Sequence, residues 1–458
     1  MSARASRRRE KVGAFGHKVG LPEVLSKRLD LFGIRVPVAG ILIVAAITLV
    51  AMTIWGIIES RAPRHISQQI THEYAVADPQ FLRSMGVLLG PPLVQGNRID
   101  TLFNGDEIFP AMLEAIRGAK RTIDFETYIY WSGDIGEKFA DALTERAKAG
   151  VKVRVLLDWF GSHNMKQEYI NRMGRAGVEV VRYHQPQWYH VRHLNNRTHR
   201  KLLIVDGRVG FTGGVGIADQ WTGHAQDADH WRDTHYRIEG PVVAQLQAAF
   251  ADNWTKMSGD VMHGEAYFPE VKPAGSSPAQ IFKSSIEGGA ESMQLMYMLS
   301  IAAAKDTIDL SMAYFIPDPL AMDELVEAIK RGVRVRILLP GSHTDSKLVR
   351  AASRSYWGRI LEAGGEIHEY QPTMFHCKVL VVDGLWVSVG STNFDTRSFR
   401  LNDEANLNVY DREFARRQTE QFDTDLKNAR RITLEEWRGR PLLEKAWDHT
   451  VAFFGPQL

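Results

Sequence analysis

Two stretches of this chain, HRKLLIVDGRVGFTGG at 199–214 and HCKVLVVDGLWVSVGS at 376–391, share the spacing His-x-Lys-x4-Asp. In each, an apolar run follows the lysine, reaches Asp-Gly and continues into a second apolar run, which predicts a β-hairpin with an Asp-Gly turn. Residues two apart on a strand share a face, so His and Lys project together and the residue between them points away. That residue is Arg200 in one copy and the chain's only cysteine, Cys377, in the other. We therefore expect the thiol to be a small buried group and not a reactive one.

The rest of the body repeats as well. KRTIDFETYIYW at 120–131 matches KDTIDLSMAYFI at 305–316, and GVKVRVLLDWFGS at 150–162 matches GVRVRILLPGSH at 332–343. Strand and helix patterns alternate within each copy, which predicts an α/β fold. A twofold repeat of this length predicts two similar domains packed together. We place them at 95–271 and 281–458, with KPAGSSPAQ at 272–280 as the linker.

Charge is distributed unevenly along the chain. Residues 1–35 contain nine basic and three acidic side chains, a net charge of +6, whereas the remaining 423 residues contain 47 basic and 51 acidic ones, a net charge of −4. A protein that holds nucleic acid along its surface is normally basic overall, so we expect no nucleic-acid partner. One cysteine excludes an intramolecular disulfide and an all-cysteine metal site.

Residues 36–58, VPVAGILIVAAITLVAMTIWGII, contain no charged side chain. The run is long enough to cross a bilayer as a helix and longer than the apolar part of a cleaved signal peptide. The excess of Lys and Arg before it predicts a cytoplasmic N-terminus. The expected order is therefore a basic cytoplasmic tail (1–35), one transmembrane helix (36–58), a linker (59–94) and a body on the non-cytoplasmic face.

The paired motifs, together with GGVG at 213–216 and GSTNFDTRS at 390–398, resemble the phospholipase D superfamily. ETYIYW at 126–131, HWRDTHYRIEGP at 230–241 and GSTNFDTRSFRLNDEANL at 390–407 resemble its bacterial cardiolipin synthase branch. The resemblance implies two α/β-sandwich domains packed as a pseudo-twofold pair, with one active site that uses neither a metal nor a cofactor.

The resemblance also implies six catalytic residues, three from each half: His199, Lys201, Asp206, His376, Lys378 and Asp383. One neutral imidazole attacks phosphorus, the other donates a proton to the leaving oxygen, and the lysines supply positive charge for the phosphoryl oxygens. Related sequences with a similar asymmetry between the halves make His199 the nucleophile and His376 the acid, although motif symmetry alone leaves this open. Asp206 and Asp383 can equally be structural, because Asp-Gly is a turn signal by itself.

Further polar residues follow from the resemblance. Ser391, Asn393 and Gly214 are expected to bind phosphate, the last through its backbone. Glu404 matches a carboxylate that orients a catalytic histidine. Asp233 is its expected counterpart for His199, with Asp229 as a weaker candidate.

The roles of two further segments stay open. QPQWYHVRHLNNR at 185–197 could form a lip for an anionic head group or be an ordinary surface loop. Leu443, Trp447, Val451 and Phe454 recur at helical spacing, and we expect this helix to pack on the body in preference to contacting a membrane.

The expected function is condensation of two phosphatidylglycerol molecules into cardiolipin and glycerol through a phosphohistidine, at the bacterial inner membrane. Anionic phospholipid is the expected partner. The alternatives are a phospholipase D that transfers to water, a membrane-anchored nuclease and a catalytically inactive scaffold. The sequence leaves the oligomeric state open.

Overall fold

The structure is a computed structural model and describes residues 28–31, 34–60, 66, 68–185, 195–285 and 291–455. It divides into two compact units, Met1–Ala62 and Pro63–Leu458. Most of the predicted cytoplasmic tail and most of the segment 185–197 lie outside the described residues.

The first unit contains the predicted membrane segment. Strand β1 (Arg28–Leu31) pairs antiparallel with β2 (Ile34–Pro37), and helix α1 (Val38–Ser60) follows directly. As far as the chain is described, none of its helices qualifies as long and apolar enough to cross a membrane. The transmembrane span therefore stays a prediction.

The second unit is built on strands that repeat in the two halves of the body. The strands of the first half are β3 (Val94–Phe103), β4 (Thr122–Thr127), β5 (Lys152–Asp158), β6 (Glu179–Tyr183), β7 (Arg197–Thr198), β8 (Leu202–Val205), β9 (Val209–Gly213) and β10 (Thr234–Glu239). The strands of the second half are β11 (Ser277–Ser284), β12 (Thr307–Met312), β13 (Phe315–Ile316), β14 (Arg334–Pro340), β15 (Glu366–Tyr370), β16 (Lys378–Val382), β17 (Trp386–Gly390), β18 (Phe394–Asp395), β19 (Asn402–Tyr410) and β20 (Ala429–Ile432).

Helices connect these strands in both halves. Those of the first half are α2 (Pro79–Leu88), α3 (Asn104–Gly118), α4 (Asp134–Lys148), α5 (Gln167–Arg175), a 3-10 turn (Asp219–Trp221) and α6 (Val243–Ser258). Those of the second half are α7 (Glu291–Ala302), α8 (Pro319–Lys330), α9 (Lys347–Ala363), α10 (Thr396–Arg400), α11 (Arg412–Leu426), α12 (Leu434–Gly439) and α13 (Leu442–Phe453).

The halves share one continuous sheet. Sixteen strands of the described chain run in the order β20-β15-β14-β12-β16-β17-β19-β11-β3-β10-β9-β8-β4-β5-β6, with β7 paired to β19 off this path. Reading outward from the central β11–β3 pair, each half presents antiparallel and then parallel pairings, and the second half adds the antiparallel edge strand β20. The α/β class and the internal symmetry are confirmed. β11 begins at Ser277 and pairs with β3, so the last residues of the predicted linker 272–280 belong to the sheet.

Both hairpins of the opening motifs are confirmed. β8 pairs antiparallel with β9, and β16 with β17. The turn residues Asp206 and Gly207 have φ values of 55° and 63°, and Asp383 and Gly384 have 52° and 56°. Positive φ at both central positions is the turn type whose twist matches the flanking strands, and Asp-Gly adopts it at low steric cost.

Three large apolar clusters form the core. One lies in the first half around Phe125 and Phe139, and another in the second half around Leu310 and Ile337. The third contains side chains from both halves, including Leu246 of α6. Separating the halves would expose this shared cluster to water, which is costly in proportion to its apolar area.

We expect Leu246→Ala to lower the free energy of unfolding by about 2–5 kcal/mol, because Leu246 is fully buried in the shared cluster and its loss leaves a cavity. Leu88→Ala is the matched control, since Leu88 is 63% exposed and should change stability by less than about 0.5 kcal/mol. Urea unfolding of the full chain in detergent measures both; equal effects would contradict the burial of Leu246 in this cluster.

Candidate active site

His199 is held against the opposite half of the chain. β7 ends at Thr198, which lies opposite Asp403 in the parallel pairing with β19, and the amide of His199 donates to the Asp403 carbonyl at 2.9 Å. The next residue of β19 is Glu404, and both of its carboxylate oxygens lie 3.0 Å from Nδ1 of His199. The carboxylate is fully buried and also accepts a hydrogen bond from Ser391 Oγ at 2.5 Å. Its position is therefore fixed.

His376 is held in the corresponding way. Phe375 forms a parallel bridge with Arg232, and the amide of His376 donates to the Arg232 carbonyl at 2.8 Å. Oδ2 of Asp233 lies 2.7 Å from Nδ1 of His376. The indole N–H of Trp221 donates to the same oxygen at 2.9 Å.

The prediction that Asp233 contacts His199 was wrong. Asp233 contacts His376, because a parallel backbone bridge between the halves places the carboxylate of the first half beside the histidine of the second. The weaker candidate, Asp229, is exposed. Glu404 lies against a histidine as expected, and that histidine is His199.

The main-chain carbonyls of Glu404 and Asp233 each accept a hydrogen bond from a buried guanidinium group. Nε of Arg200 donates to the Glu404 carbonyl at 3.3 Å, and Nη1 of Arg200 donates to the Ala249 carbonyl at 2.7 Å. Nη1 of Arg232 donates to the Asp233 carbonyl at 2.7 Å, and Nη2 of Arg232 forms an ion pair with Asp425 at 2.8 Å. Both arginines are therefore used in holding the site together.

The expectation for Cys377 is confirmed. The side chain is 1% exposed and belongs to the apolar cluster shared by the halves. Burial raises the pKa of its thiol to about 12. A thiolate, the nucleophilic form, is therefore negligible at neutral pH.

Each lysine contacts the histidine of its own motif, and Lys201 also lines the cavity described below. Nζ of Lys201 donates to the His199 carbonyl at 2.7 Å, and Nζ of Lys378 donates to the His376 carbonyl at 2.7 Å. Nζ of Lys378 also lies 3.2 Å from Nε2 of His376. Burial lowers the pKa of both ammonium groups, that of Lys201 to about 7. The carboxylates of Glu404 and Asp233 act in the opposite direction on both lysines.

Burial also decides the state of the imidazoles. It lowers the pKa of His199 to about 4 despite the opposing charge of Glu404, and it lowers the pKa of His376. Burial alone would raise the pKa of Glu404 and Asp233, but the facing imidazole and a neighbouring ammonium outweigh it and hold both below their ordinary values. At neutral pH His199 is thus a neutral imidazole whose Nδ1–H points at a carboxylate, which leaves Nε2 with a free lone pair.

His199 and His376 line one cavity of about 340 Å³. Its aromatic and polar walls come from both halves: Tyr128, Trp131, Phe160, Arg197, Trp221, Trp231, Tyr314, Asp345, Asn393, Asp395, Arg397 and Asn402. Asn393 is 3% exposed, and its Oδ1 has no hydrogen-bond partner within the described chain. Of the three expected phosphate-binding residues, Asn393 is the one that lines this cavity.

The other two have different surroundings. Ser391 uses its hydroxyl to hold Glu404 and its amide to bind the Ala405 carbonyl. The amide of Gly214 donates to the Thr234 carbonyl. A Cβ at Gly214 would lie 2.2 Å from Oδ1 of Asp233, so the glycine makes room for the carboxylate and does not offer its amide to a phosphate.

Asp206 and Asp383 are not brought to the cavity. The carboxylate of Asp206 accepts hydrogen bonds from the amides of Lys120, Arg121 and Thr122, at 2.7–2.9 Å. Asp383 makes the corresponding three bonds at the start of β12. These contacts favour the structural alternative, in which each aspartate fastens its hairpin turn to the beginning of a neighbouring strand.

Sequence reasoning did not single out several cavity residues. Tyr128 follows β4 and Tyr314 follows β12, the first strand of the repeated segment in each half. Tyr128 comes one residue after its strand and Tyr314 two residues after its strand, so a tyrosine just past this strand in each half was the available signal. Arg397 lies within the quoted GSTNFDTRS segment, whereas no local pattern marked Trp231.

Comparisons with known proteins agree with this geometry. A model of the cardiolipin synthase PLD-like domain matches residues 112–254 and 297–426. The chain belongs to this family. It is 38% identical to a cardiolipin synthase from Oceanobacillus iheyensis, over 74% of this chain and 71% of the relative. It is 36% identical to the major cardiolipin synthase of Bacillus subtilis, over 76% of this chain and 73% of that protein.

Among solved structures, the phosphatidylserine synthase of Haemophilus influenzae resembles the fold with a TM-score of 0.65 at 15% identity, over 83% of this chain and 99% of that one. Like these relatives, this chain is a phosphatidyltransferase of the phospholipase D superfamily.

We expect Asp233→Asn to reduce turnover by about 10²-fold or more, because the amide can no longer stabilise a protonated His376. Asp229→Asn is the matched control, since that carboxylate is exposed, and it should retain wild-type turnover. Lipid turnover by the purified full chain measures both. A larger loss in the Asp229 variant would show that the wrong carboxylate has been placed at the site.

We expect sulfate to bind the cavity more weakly as the pH rises through about 7, by up to about tenfold per pH unit, because the charged form of Lys201 is lost above its pKa of about 7. Sulfate keeps its charge over this range, so the protein alone supplies the pH dependence. Calorimetric titration measures the affinity, and Lys201→Met should bind sulfate weakly with a flatter profile. Equal wild-type affinity at pH 6 and pH 9 would contradict the lowered lysine pKa.

Proposed function

We propose that this protein condenses two phosphatidylglycerol molecules into cardiolipin and glycerol, with His199 as the nucleophile and His376 as the acid and base. One observation carries the proposal: two imidazoles line a single cavity, and each is hydrogen-bonded through Nδ1 to a buried carboxylate. This leaves Nε2 of His199 for attack on phosphorus, while Nε2 of His376 lies 3.2 Å from the ammonium of Lys378.

In the first step, Nε2 of His199 attacks the phosphorus of one phosphatidylglycerol. The bond from phosphorus to the glycerol oxygen breaks, and that oxygen takes its electron pair and a proton from His376. The phosphatidyl group is then bonded to His199, and free glycerol leaves. The pKa of about 4 for His199 supports the nucleophile's role, since the imidazole is neutral at physiological pH.

His376 must be protonated for this step, although burial lowers its pKa. A phosphate beside it adds negative charge, which favours the imidazolium, and Asp233 acts in the same direction. The ammonium groups of Lys201 and Lys378 lie next to the histidines, where they can offset the charge on the phosphoryl oxygens.

In the second step, the head-group hydroxyl of another phosphatidylglycerol gives its proton to His376 and attacks the phosphorus. The nitrogen–phosphorus bond breaks, so His199 is restored and cardiolipin is released. Water in place of the hydroxyl would yield phosphatidic acid. The aromatic side chains of Tyr128, Trp221, Trp231 and Tyr314 line the cavity and favour transfer, because they reduce the volume open to water.

We also propose that the chain is anchored in the bacterial inner membrane by residues 36–58, with the N-terminus in the cytoplasm. The support is the uncharged run itself, the excess of basic residues before it and the exposed apolar side chains of α1, such as Ile43 at 59% and Leu49 at 67%.

The first experiment supplies the purified chain with phosphatidylglycerol labelled in its head group and its phosphate. We expect labelled cardiolipin and free glycerol in equal amounts, because each condensation releases one glycerol. Phosphatidic acid with glycerol would identify a hydrolase, and no turnover of lipid by the wild type would refute the proposal.

The second experiment separates the two histidines with a phosphatidyl ester of p-nitrophenol, a leaving group that needs little help from an acid. We expect no nitrophenol from His199→Asn, and a burst of about one equivalent from His376→Asn followed by slow turnover. His224→Asn is the control, because its side chain is 70% exposed. A burst in the His199 variant and none in the His376 variant would reverse the assignment.

A further inference from the structure

Helix α13 is fixed to the body along one side. Asp448 is fully buried and accepts hydrogen bonds from Arg354 at 2.7 Å and Arg440 at 2.6 Å. Val451, one turn further on, packs in an apolar cluster with Ile316. The helix packs on the body as predicted, but of the four residues whose spacing suggested this packing only Val451 is buried; Leu443, Trp447 and Phe454 are exposed.

The opposite side of α13 is apolar and faces solvent. Leu442 is 81% exposed, Leu443 87%, Trp447 53%, Phe453 55% and Phe454 40%. At 100° per residue these five side chains fall on one face, and the residues between them on that face are Ala446 and Thr450, both exposed. We call this seven-residue surface the C-terminal apolar face. It carries no charge, and apolar side chains grouped in this way usually mark a binding surface.

The helix that carries this face is linked to the catalytic cavity through its buried side. Tyr314 lines the cavity and also packs against the cluster that contains Val451. Further exposed apolar side chains lie toward the cavity: Phe160, at its wall, is 48% exposed, and Leu348, three residues after the cavity residue Asp345, is 46% exposed. α13 packs against α9, the helix that carries Leu348, so apolar side chains are exposed on both helices and at the cavity wall.

The cavity has a volume of about 340 Å³, near the lower end of the range of about 300–1,000 Å³ for small-molecule sites. It can accommodate phosphate and glycerol groups but not the acyl chains of two phospholipids. Those chains must stay in the bilayer while the head groups react, so the entrance must lie at the lipid surface. A helix whose exposed face contains Leu, Trp and Phe is suited to the boundary between head groups and acyl chains.

We propose that the C-terminal apolar face inserts into the surface of an anionic phospholipid bilayer and holds the cavity entrance at the head groups. Exposed Lys347, next to Leu348, offsets the negative charge of exposed Asp345 two residues earlier, so this part of the surface does not repel anionic lipid. The proposal rests on phospholipid as the substrate, and it is independent of the predicted anchor at the other end of the chain.

The single native cysteine makes a direct test possible, because Cys377 is buried and its thiol has a pKa of about 12. An environment-sensitive fluorophore is attached to Leu443→Cys in the full chain, reconstituted in vesicles of phosphatidylglycerol and phosphatidylcholine. Wild type measures background labelling, and Glu145→Cys is the control, since that side chain is 55% exposed on α4. We expect quenching by spin-labelled lipid at position 443, and iodide quenching about threefold or more weaker than at position 145.

Equal iodide quenching at the two positions would overturn the proposal. Protection at 443 without quenching by spin-labelled lipid, and rising with protein concentration, would also overturn it and would show that a second copy of the chain covers the face. The fluorescence does not depend on catalysis. It therefore decides whether the face docks even if the proposed reaction is wrong.

A second test compares two substrates. We expect the triple variant Leu443→Ser, Trp447→Ser, Phe454→Ser to turn over phosphatidylglycerol in vesicles about tenfold or more slowly. Turnover of dissolved short-chain phosphatidylglycerol should stay within about twofold of wild type, because the substituted side chains do not line the cavity. Val261→Ser, at a position 64% exposed, is the control and should match wild type on both. An equal loss on both substrates would indicate a structural role and refute docking.

Discussion

The hydrogen bonds between each histidine and a carboxylate of the opposite half are the constraint on which the site depends. A fully buried carboxylate is expensive unless it is paired and hydrogen-bonded, so Glu404 and Asp233 are stable only while the halves are joined. The strand pairings that deliver them, Thr198 with Asp403 and Phe375 with Arg232, run across the same boundary. The continuous sheet and the shared core therefore support catalysis directly, because they fix two imidazoles around one cavity.

The charges of the cavity explain why the site is suited to a phosphodiester. Two buried ammonium groups lie near each other, and burial lowers the pKa of both. This arrangement costs folding free energy when the cavity is empty, and an anion between the lysines would recover part of it. Proteins commonly retain such locally unfavourable groups where function requires them.

Much of this could be predicted from local sequence patterns. The α/β class, both Asp-Gly hairpins, the inward His and Lys and the outward Cys377 follow from residue spacing, because strand periodicity and turn chemistry are local properties. The partner of Asp233 could not be predicted in this way, since it depends on a pairing between segments more than 140 positions apart. The roles of Gly214 and Ser391 were missed for the same reason: each serves a carboxylate whose position only the assembled halves define.

Arg200 and Arg232 have similar contacts but different positions in the sequence repeat. Arg200 follows one catalytic histidine in sequence, while Arg232 precedes the carboxylate residue that contacts the other. Yet both guanidinium groups bind the main-chain carbonyl of a histidine-orienting residue. Each half thus has a buried guanidinium on the main chain of its histidine-orienting residue, although the two arginines come from different places in the repeat. Alignment of the halves by sequence sets Arg200 against Cys377 and suggests a lost function, whereas the contacts show that a similar group is supplied by a different segment.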